Sequence, residues 1–369
     1  MERRLTRVVI AGGGTGGHLY PGIAVAREVL ARNPAAKVSF VGTERGIERR
    51  AVPQAGFELD CIRSAGLKGK SWWTRLQGAA LVPVSLMDGW RVLSRRKPQV
   101  VVGVGGYSSG PVVLVASLRR LPTIVLEQNA VPGLTNRLLA RWVRAAAVAY
   151  ESTLSYFGGK GFVSGNPVRP EFVARAAVPV GVDVGAVPAR RVLVMGGSQG
   201  AHAMNRAMAE AAPVLARLTP PLDLVHQTGE RDLGMVRDAY AKAGLEARTE
   251  AFIESIAPDM DAADLVVCRA GATTLAELAA VGRPAGLVPF AAATADHQRR
   301  NAAVLEAAGA ATVVDERGLS GDVLAATVTA LLDDASRLKA MGAAMRGFAR
   351  PDAAARIVDR LEVMVGRHG

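Results

Sequence analysis

Glycine-rich segments that follow short apolar runs hold the residues with the most evident chemistry. The first segment, GGTGGH at 13–18, ends in His18, the one titratable group of its loop. Backbone N–H groups of such a loop at a helix start can hold an anion or a developing charge. A histidine beside a helix N-terminus feels positive potential, which favours the neutral imidazole that a general base needs. We expect His18 to act in catalysis; the alternative is that it only caps the turn.

Two further polar segments follow predicted strands in the first half of the chain. They read GVGGYSSGP at 103–111 and EQNAVPGLTN at 127–136. The side chains in the second segment that could bind sugar hydroxyls or orient a base are Glu127, Gln128, Asn129 and Asn136. Because ligands of open α/β sheets bind outside the carboxyl ends of the strands, we expect both segments to face the same cleft as His18. The alternative is turn chemistry, since Asn, Gly and Pro form turns unaided.

Three comparable segments lie in the second half of the chain. GGSQGA at 196–201 offers Ser198 at a helix start, and CRAGATTLAE at 268–277 offers threonine hydroxyls at another. Such hydroxyls and free N–H groups suit a diphosphate, and the carboxylate of Glu277 can accept two hydrogen bonds from a ribose diol. Hydroxyl-binding side chains farther on are Asp296, His297, Gln298 and Asn301. The alternative for Glu277 is an ordinary capped helix with an acidic residue near its favourable end.

Short apolar runs alternate with helical patterns, which is typical of an α/β chain with parallel sheets. The predicted strands are 7–10, 37–41, 100–104, 123–127, 145–150, 191–195, 222–227, 249–252, 265–268 and 285–289. The rhythm breaks in the Gly- and Pro-rich stretch 161–188 and then restarts with a second glycine loop. We therefore predict two Rossmann-like, doubly wound domains facing a cleft, at residues 1–164 and 165–346. A helix at 347–369 is expected to pack back on the first domain.

Composition sets further limits. The chain has 369 residues, of which 50% are hydrophobic, and a formal net charge of +12. These values exclude wholesale disorder and indicate an anionic partner: nucleic acid, acidic lipid headgroups or a phosphorylated substrate. Aromatic residues make up only 5% and no basic repeat occurs, which argues against nucleic acid. Two isolated cysteines form neither a disulfide framework nor a metal site, and we expect no metal and no cofactor.

A dinucleotide-binding dehydrogenase is one alternative, because Gly12, Gly14 and Gly17 satisfy the spacing G-x-G-x-x-G. That fingerprint also requires an acidic residue about 20 residues later, to hold the ribose. Lys37 stands near that place, and Glu44 comes several residues too late. The sequence therefore disfavours a nicotinamide enzyme.

The stretch 66–96 combines apolar and basic residues in a way that suits an interfacial membrane anchor. The apolar residues are Trp72, Trp73, Leu76, Leu81, Val84 and Leu86. The basic residues are Lys68, Lys70, Arg75, Arg91, Arg95 and Arg96. The alternative is a core helix with a solvated basic face. No apolar run reaches the roughly 18 residues of a membrane span, and the apolar run at the N-terminus is too short for a signal peptide.

At these segments the chain resembles the MurG family, bacterial peripheral glycosyltransferases that add N-acetylglucosamine (GlcNAc) to undecaprenyl-pyrophosphoryl-MurNAc-pentapeptide. The matching segments keep the family's order over nearly the whole chain: GGTGGH, GGYSSGP, EQNAVPGLTN, GNPVR at 165–169, GGSQGA, CRAGATTLAE and DHQRRNA. The resemblance implies a GT-B fold and inverting, metal-independent transfer from UDP-GlcNAc to the 4-hydroxyl of MurNAc in peptidoglycan synthesis. It also implies a peripheral location on the anionic cytoplasmic surface of the inner membrane. An alternative within the fold is a UDP-GlcNAc 2-epimerase.

The resemblance also implies residue roles, with the acceptor and membrane on the first domain and the donor on the second. Catalytic importance falls on His18, Tyr107, Glu127, Asn136 and Asn301, and the identity of the base stays open. The donor-binding positions are Thr15, Gly16, Gly17, Asn129, Arg169, Ser198, Ile253, Ala272, Thr273, Thr274, Leu275, Ala276, Glu277, Gln298 and Asn301. Arg169 would stabilise the leaving diphosphate together with helix N-termini. Departures from the family pattern are Ala270, where serine is frequent, and the pair Arg299 and Arg300.

Overall fold

The computed structural model describes residues 5–64, 72–176, 190–196, 201–293 and 296–366, with only the backbone at 72–80. Sequence candidates outside this description are Ser198, Lys68, Lys70 and the side chains of Trp72, Trp73, Arg75 and Leu76. The chain forms two compact units. One comprises Met1–Pro170 and Arg350–Gly369, and the other comprises Glu171–Ala349. The expected boundaries, after residues 164 and 346, lie a few residues before these.

The first unit is built on a sheet of seven parallel strands in the order β3-β2-β1-β4-β5-β6-β7. The strands are β1 (Arg7–Gly12), β2 (Lys37–Gly42), β3 (Glu58–Cys61), β4 (Val100–Gly105), β5 (Thr123–Glu127), β6 (Ala145–Val148) and β7 (Gly161–Val163). The helices between them are α1 (Gly16–Arg32), α2 (Glu48–Gln54), α3 (Trp72–Arg96), α4 (Ser109–Leu118) and α5 (Leu134–Leu139). Helices cover both faces of the sheet, so its central strands are apolar throughout.

Strand β1 shows why the central strands read as continuous apolar runs. Val8 and Ile10 join the core beneath α1, whereas Val9 and Ala11 join the core beneath α3 and α4. Successive side chains of a strand point to opposite faces, so a strand buried on both faces needs an apolar residue at every position. The β-branched residues of RVVIAG satisfy this requirement.

The second unit repeats this plan with six parallel strands in the order β10-β9-β8-β11-β12-β13. The strands are β8 (Arg190–Met195), β9 (Leu222–Gln227), β10 (Ala247–Glu250), β11 (Leu265–Cys268), β12 (Ala285–Leu287) and β13 (Ala311–Val313). The helices are α6 (Pro170–Ala176), α7 (His202–Leu215), α8 (Leu233–Ala243), α9 (Ile256–Ala262), α10 (Ala272–Val281), α11 (His297–Ala307), α12 (Gly321–Leu332) and α13 (Ala335–Arg346). Its main core joins β8, β9 and β11 to α7, α8 and α12.

The last helix, α14 (Ala353–Gly366), belongs to the first unit. Ile357 and Leu361 of this helix are fully buried in the core that also contains the apolar face of α1. Arg32 at the end of α1 forms ion pairs with Asp359 at 2.6 Å and with Glu362 at 2.9 Å. Apolar burial and charge pairing therefore both hold α14 against α1.

The predicted class of two doubly wound α/β domains with parallel sheets is confirmed. All ten predicted strands occur, although β10 begins and ends two residues before the predicted 249–252. The sequence analysis missed β3, β7 and β13, each of which lies at or next to a sheet edge. Within the described part of the chain, no helix has both the length and the apolar character needed to cross a bilayer.

Candidate active site

In each unit the strand order reverses at one point, and the loops that follow the strands there hold candidate residues. In the first unit the reversal lies between β1 and β4, whose following loops lead to His18 and Tyr107. In the second unit it lies between β8 and β11, which precede the segments 196–201 and 268–277. Ligands of doubly wound folds bind at such switch points.

At the switch point of the first unit, two turns lie backbone against backbone. A methyl group on Gly106 would stand 2.5 Å from the carbonyl oxygen of Gly13, and one on Gly105 would stand 2.8 Å from Nδ1 of His18. Gly105 and Gly106 have φ values of 99° and 80°, which side chains rarely tolerate. The ring of His18 is thereby seated directly against the turn that follows β4.

The imidazole of His18 is half-buried, and its Nδ1 lies 3.3 Å from Oε1 of Gln128. Gln128 is buried, and its Nε2 donates a hydrogen bond of 3.1 Å to the carbonyl of Val104. A carbonyl only accepts, so the amide NH₂ must face Val104 and the amide oxygen must face the histidine. This orientation makes Nδ1 the protonated nitrogen, and the lone pair on Nε2 can then accept a proton.

The carboxylate of Glu127 accepts four hydrogen bonds from its own loop and is only 2% exposed. The backbone N–H and Nδ2 of Asn129 both donate to Oε1 at 3.1 Å. The N–H of Gly133 and Nδ2 of Asn136 donate to Oε2 at 3.0 and 2.9 Å. Glu127 therefore organises the turn that leads from β5 to α5.

Asn136 is buried at the start of α5 and serves the same turn. Its Nδ2 donates to the carbonyl of Leu126 at 2.9 Å as well as to Glu127. Both contacts require a donor, which fixes the orientation of the amide. Its Oδ1 is buried and accepts no hydrogen bond from the residues that the structure describes.

The remaining candidates of the first glycine loop lie at the beginning of α1. Thr15 precedes the helix, and its carbonyl accepts the N–H of His18 at 3.3 Å, while its exposed side chain caps no N–H group. Gly16 is half-buried and Gly17 is exposed. The structure thus brings these residues together with His18 at the carboxyl edge of the sheet.

The sequence analysis missed Glu48, a fully buried carboxylate below this loop. It accepts hydrogen bonds from the N–H of Gly14 and from Thr43. The hydroxyl of Tyr107, which is half-buried, lies 3.5 Å from Oγ1 of Thr43. The glycines that precede Glu48 in the sequence could have indicated that a side chain lies close to the backbone there. The two arginines that follow Glu48 are instead typical of an exposed helix.

In the second unit, α10 begins directly after the loop that follows β11, with Gly271 in an extended conformation as its N-cap. The half-buried residues of its first turns are Ala272, Thr273, Thr274 and Ala276, and the buried ones are Leu275 and Glu277. Glu277 is 4% exposed. The structure thus puts the threonine hydroxyls at a helix start, as the spacing predicts.

Ile253 follows β10 and is buried. Its backbone N–H donates a hydrogen bond of 3.0 Å to Oε1 of Gln227, at the end of the neighbouring strand β9. A contact between the backbone of Ile253 and a uracil would therefore use the carbonyl group of this residue.

Gln298 and Asn301 lie on α11 and reach back to loops after β11 and β12. Oε1 of Gln298 accepts the N–H of Phe290 at 2.9 Å. Nδ2 of Asn301, which is fully buried, donates to the carbonyl of Ala270 at 3.3 Å. Both side chains therefore hold α11 against the loops at the carboxyl edge of the sheet.

Arg169 lies in the first unit, not in the domain to which the sequence analysis assigned it, because the division falls after Pro170. The segment before it contains Gly165, at φ 83°. A methyl group there would clash with the side chain of Arg350, where the chain returns to the first unit. Gly165, four residues before Arg169, thus lies against the place where the chain re-enters this unit.

A chain of hydrogen bonds fixes the start of α7 in the second unit. Nδ2 of Asn205 donates to Asp232 at 2.8 Å, and Asp232 contacts Nδ1 of His202 at 2.9 Å. Oδ1 of Asn205 faces Nε2 of the buried His226 at 3.1 Å, and Nδ1 of His226 meets the hydroxyl of Tyr240 at 2.7 Å. Because Oδ1 of Asn205 only accepts, Nε2 of His226 is the protonated nitrogen. Burial lowers the pKa of His226 to about 3.

An apolar and basic surface lies on α3 and α4 of the first unit. Its exposed apolar residues are Val82, Met87, Trp90 and Leu118. The guanidinium of Arg119 lies 4.7 Å from the Trp90 ring centre. We call these five residues the α3–α4 surface.

The anchor residues expected from the sequence at 81–96 differ from these five. Leu81 and Val84 are half-buried, and Leu86 packs on the core. Arg95 and Arg96 pair with Asp60, and Arg91 lies 3.7 Å from Asp88.

Among the described residues, no three His, Cys, Asp or Glu side chains come together as a possible metal site.

Residues 8–148 match the glycosyltransferase family 28 N-terminal domain, and residues 191–357 match the C-terminal domain of that family. A relative from Anaeromyxobacter sp. (strain Fw109-5) is 48% identical over 362 residues, covering 98% of this chain and 94% of the relative. The chain belongs to glycosyltransferase family 28. That relative is named UDP-N-acetylglucosamine–N-acetylmuramyl-(pentapeptide) pyrophosphoryl-undecaprenol N-acetylglucosamine transferase.

A second relative carries the same name, and two solved structures share the fold. A Geobacter sulfurreducens relative of the same name is 45% identical, covering 96% of this chain and 98% of its own. The crystal structure of Acinetobacter baumannii MurG has a TM-score of 0.79 at 29% identity, covering 97% and 99% of the two chains. A Neisseria meningitidis UDP-GlcNAc 2-epimerase bound to UDP-GlcNAc has a TM-score of 0.68 at 15% identity, covering 96% and 98%, and shares only the fold. The GT-B fold expected from the resemblance is confirmed.

The neutral state of His226 predicts a pH-dependent stability. Its pKa is about 3 in the folded chain and about 6.5 when unfolded, so between these values the unfolded chain binds one proton more. This contribution is complete above pH 6.5 and is lost as the pH falls toward 3. Between pH 7 and pH 5 the parent protein should lose about 2 kcal/mol more unfolding free energy than His226→Gln, measured by urea unfolding. Parallel pH dependences of the two proteins would contradict the neutral assignment.

Proposed function

We propose that this family 28 chain transfers GlcNAc from UDP-GlcNAc to the 4-hydroxyl of MurNAc in undecaprenyl-pyrophosphoryl-MurNAc-pentapeptide, with inversion at the anomeric carbon. The observation that carries the proposal is the full-length match, at 45–48% identity, to relatives that bear the name of this transferase. The polar groups at both switch points agree with it, because a transferase must hold a donor and an acceptor. An epimerase is less favoured, since the structures titled as UDP-GlcNAc 2-epimerases share the fold at only 14–15% identity.

On the donor side, we assign the diphosphate to the start of α10 and the ribose to Glu277. Helix N-termini offer N–H groups and positive potential to an anion, and Thr273 and Thr274 add hydroxyl donors. Arg169 supplies a cation for the leaving diphosphate. Donors placed in advance around a developing charge can stabilise a leaving group without a metal ion. We therefore propose that the transfer is metal-independent.

On the acceptor side, we assign the role of general base to His18. As the 4-oxygen forms its bond to the anomeric carbon, the bond from that carbon to the diphosphate oxygen breaks, and UDP leaves. The hydroxyl proton passes to Nε2 of His18, while the hydrogen bond from Nδ1 to Gln128 stabilises the imidazolium that forms. This arrangement follows the geometry of a base whose second ring nitrogen is held by a fixed acceptor.

Glu127 and Asn136 act in this proposal as positioning residues. The four hydrogen bonds that the carboxylate of Glu127 accepts all come from its own loop, so this side chain holds the turn. Holding the turn after β5 keeps Gln128 in place, and Gln128 orients His18. The hydroxyl of Tyr107 lies at the other side of the glycine loop, near Thr43, and could contact the acceptor sugar from there.

We also propose that the α3–α4 surface binds an anionic bilayer, since the substrate carries a lipid. Exposed tryptophan and methionine beside basic residues suit the headgroup boundary. The guanidinium of Arg119 over the ring of Trp90 keeps a positive charge at that surface. This contact with the membrane would be peripheral, on the cytoplasmic side of the inner membrane.

Replacement of His18 tests the catalytic assignment. In a transfer assay with radiolabelled UDP-GlcNAc and a short-chain lipid-linked acceptor, His18→Ala should lower kcat by about 10² to 10⁴, the usual value of general-base catalysis. The affinity for UDP should change less than about twofold by calorimetry, because we assign the diphosphate and the ribose to residues of α10. Glu127→Gln serves as comparison and should lower kcat with the pH profile retained. If His18→Ala keeps more than about a third of the parent kcat with an unchanged pH profile, the base role is excluded.

Replacement of Glu277 tests the donor site. Glu277→Gln keeps the volume of this buried side chain but removes its charge. It should raise the KM for UDP-GlcNAc about tenfold or more, because hydrogen bonds to a charged carboxylate are lost. The KM for the acceptor should stay nearly unchanged. EDTA should alter neither value. Glu254→Gln, at an exposed position of the same unit, is the matched control. An unchanged donor KM, or turnover lost in EDTA and restored by Mg²⁺, would contradict the donor assignment.

Vesicle binding tests the α3–α4 surface. The double variant Met87→Ala and Trp90→Ala should weaken sedimentation with phosphatidylglycerol vesicles about tenfold, since a partly buried apolar side chain is worth about 1 kcal/mol or more. Added salt should weaken binding of the parent protein. Val214→Ala removes a comparably exposed apolar residue from the second unit and should bind as the parent does. Equal binding by all three proteins would exclude this surface as the membrane contact.

A further inference from the structure

Glu48 is an unusual group because it is a fully buried carboxylate without a cation. Its Oε2 accepts the N–H of Gly14 at 2.8 Å. Its Oε1 accepts both the N–H and the hydroxyl of Thr43 at 2.9 Å. Within the described part of the chain, no ion pair involves Glu48. A buried charge is tolerated only where hydrogen bonds replace its hydration, and here three donors do so.

The glycines around Glu48 are explained by the approach of this carboxylate. A methyl group on Gly13 would stand 2.5 Å from the carboxyl carbon, and methyl groups on Gly42 and Gly46 would stand closer still to the side chain. Gly13 lies in the loop after β1, Gly42 ends β2, and Gly46 lies in the loop after β2. In the first glycine loop, Gly13 is therefore required by an internal side chain.

In a nucleotide-binding domain of this fold, the N–H groups of the first glycine loop hold a phosphate of the ligand. Here the N–H of Gly14 is already bound to Glu48. Through Thr43, the same carboxylate reaches the hydroxyl of Tyr107, at 3.5 Å from Oγ1 of Thr43. One carboxylate thus ties the loops after β1 and β2 together and is linked through Thr43 to a residue after β4.

We propose that Glu48 is the built-in anion of the first glycine loop and positions His18 and Tyr107 for the reaction. Glu48 touches neither substrate, so its effect is exerted through the loop that leads into α1. The inference rests on the proposed transferase activity only for its kinetic test.

The test removes the carboxylate and then supplies one from solution. Glu48→Ala should lower kcat about a hundredfold, since a displacement of about 1 Å at a catalytic group can cost that much. Affinity for UDP, measured by calorimetry, should stay within about twofold of the parent value. Formate should restore a substantial part of kcat in Glu48→Ala and none in Glu48→Gln, whose amide fills the space and presents NH₂ to the donors. Glu44→Ala, in the same loop but exposed, is the matched control and should behave as the parent.

A second readout does not depend on activity. Amide hydrogen exchange of the segment 12–18 should speed up in Glu48→Ala and slow again with formate. If the parent protein transfers no GlcNAc, the proposed function fails, while this exchange experiment still decides the role of Glu48. Unaltered exchange in the segment, or a kcat above half of the parent value, would overturn the inference.

If Glu48→Ala also loses UDP binding, the variant is misfolded. Thr43→Val, which removes one donor, then decides: a kcat within twofold of the parent value overturns the proposal, and a larger loss with UDP affinity intact supports it.

Discussion

The candidate site of the first unit depends on the close approach of two backbones. The turns after β1 and β4 touch at Gly13 and Gly106, where no side chain fits. This contact exists because β1 and β4 are neighbours at the point where the strand order reverses. It brings the start of α1 against the turn after β4 and so puts His18 within reach of Gln128. A larger residue at either glycine would move the helix start away, and the histidine with it.

The polar side chains around these loops have different chemical roles. Glu127 and Glu48 are both acidic and buried, and hydrogen bonds from loop N–H groups, hydroxyls and amides engage the oxygens of both. Both carboxylates hold the loops around them in place. The imidazole of His18 differs, because one nitrogen is held by Gln128 and the other has an available lone pair. Geometry therefore favours His18 over Glu127 as the base, a choice that the sequence left open.

The sequence predicted the central strands well because a strand buried on both faces must be apolar at every position. It missed β3, β7 and β13, since runs such as ELDC and GFV are too short to show a pattern and become strands only by pairing at an edge. It missed Glu48 for a different reason. An acidic residue followed by two arginines looks solvent-exposed, and only the packing of two loops around it reveals the burial. The polar segments at the switch points were predictable, because topology alone brings the carboxyl ends of parallel strands together.

The two units share one plan, and each has a buried carboxylate near the start of the helix that follows its first strand. In the first unit the carboxylate of Glu48 accepts a hydrogen bond from Gly14, just before α1. In the second unit the carboxylate of Asp232 is bound to Asn205 and His202 at the start of α7, and the buried His226 behind Asn205 carries no charge at neutral pH. A repeated domain can thus fix the same helix start with a carboxylate that comes from a different place in the sequence of each half.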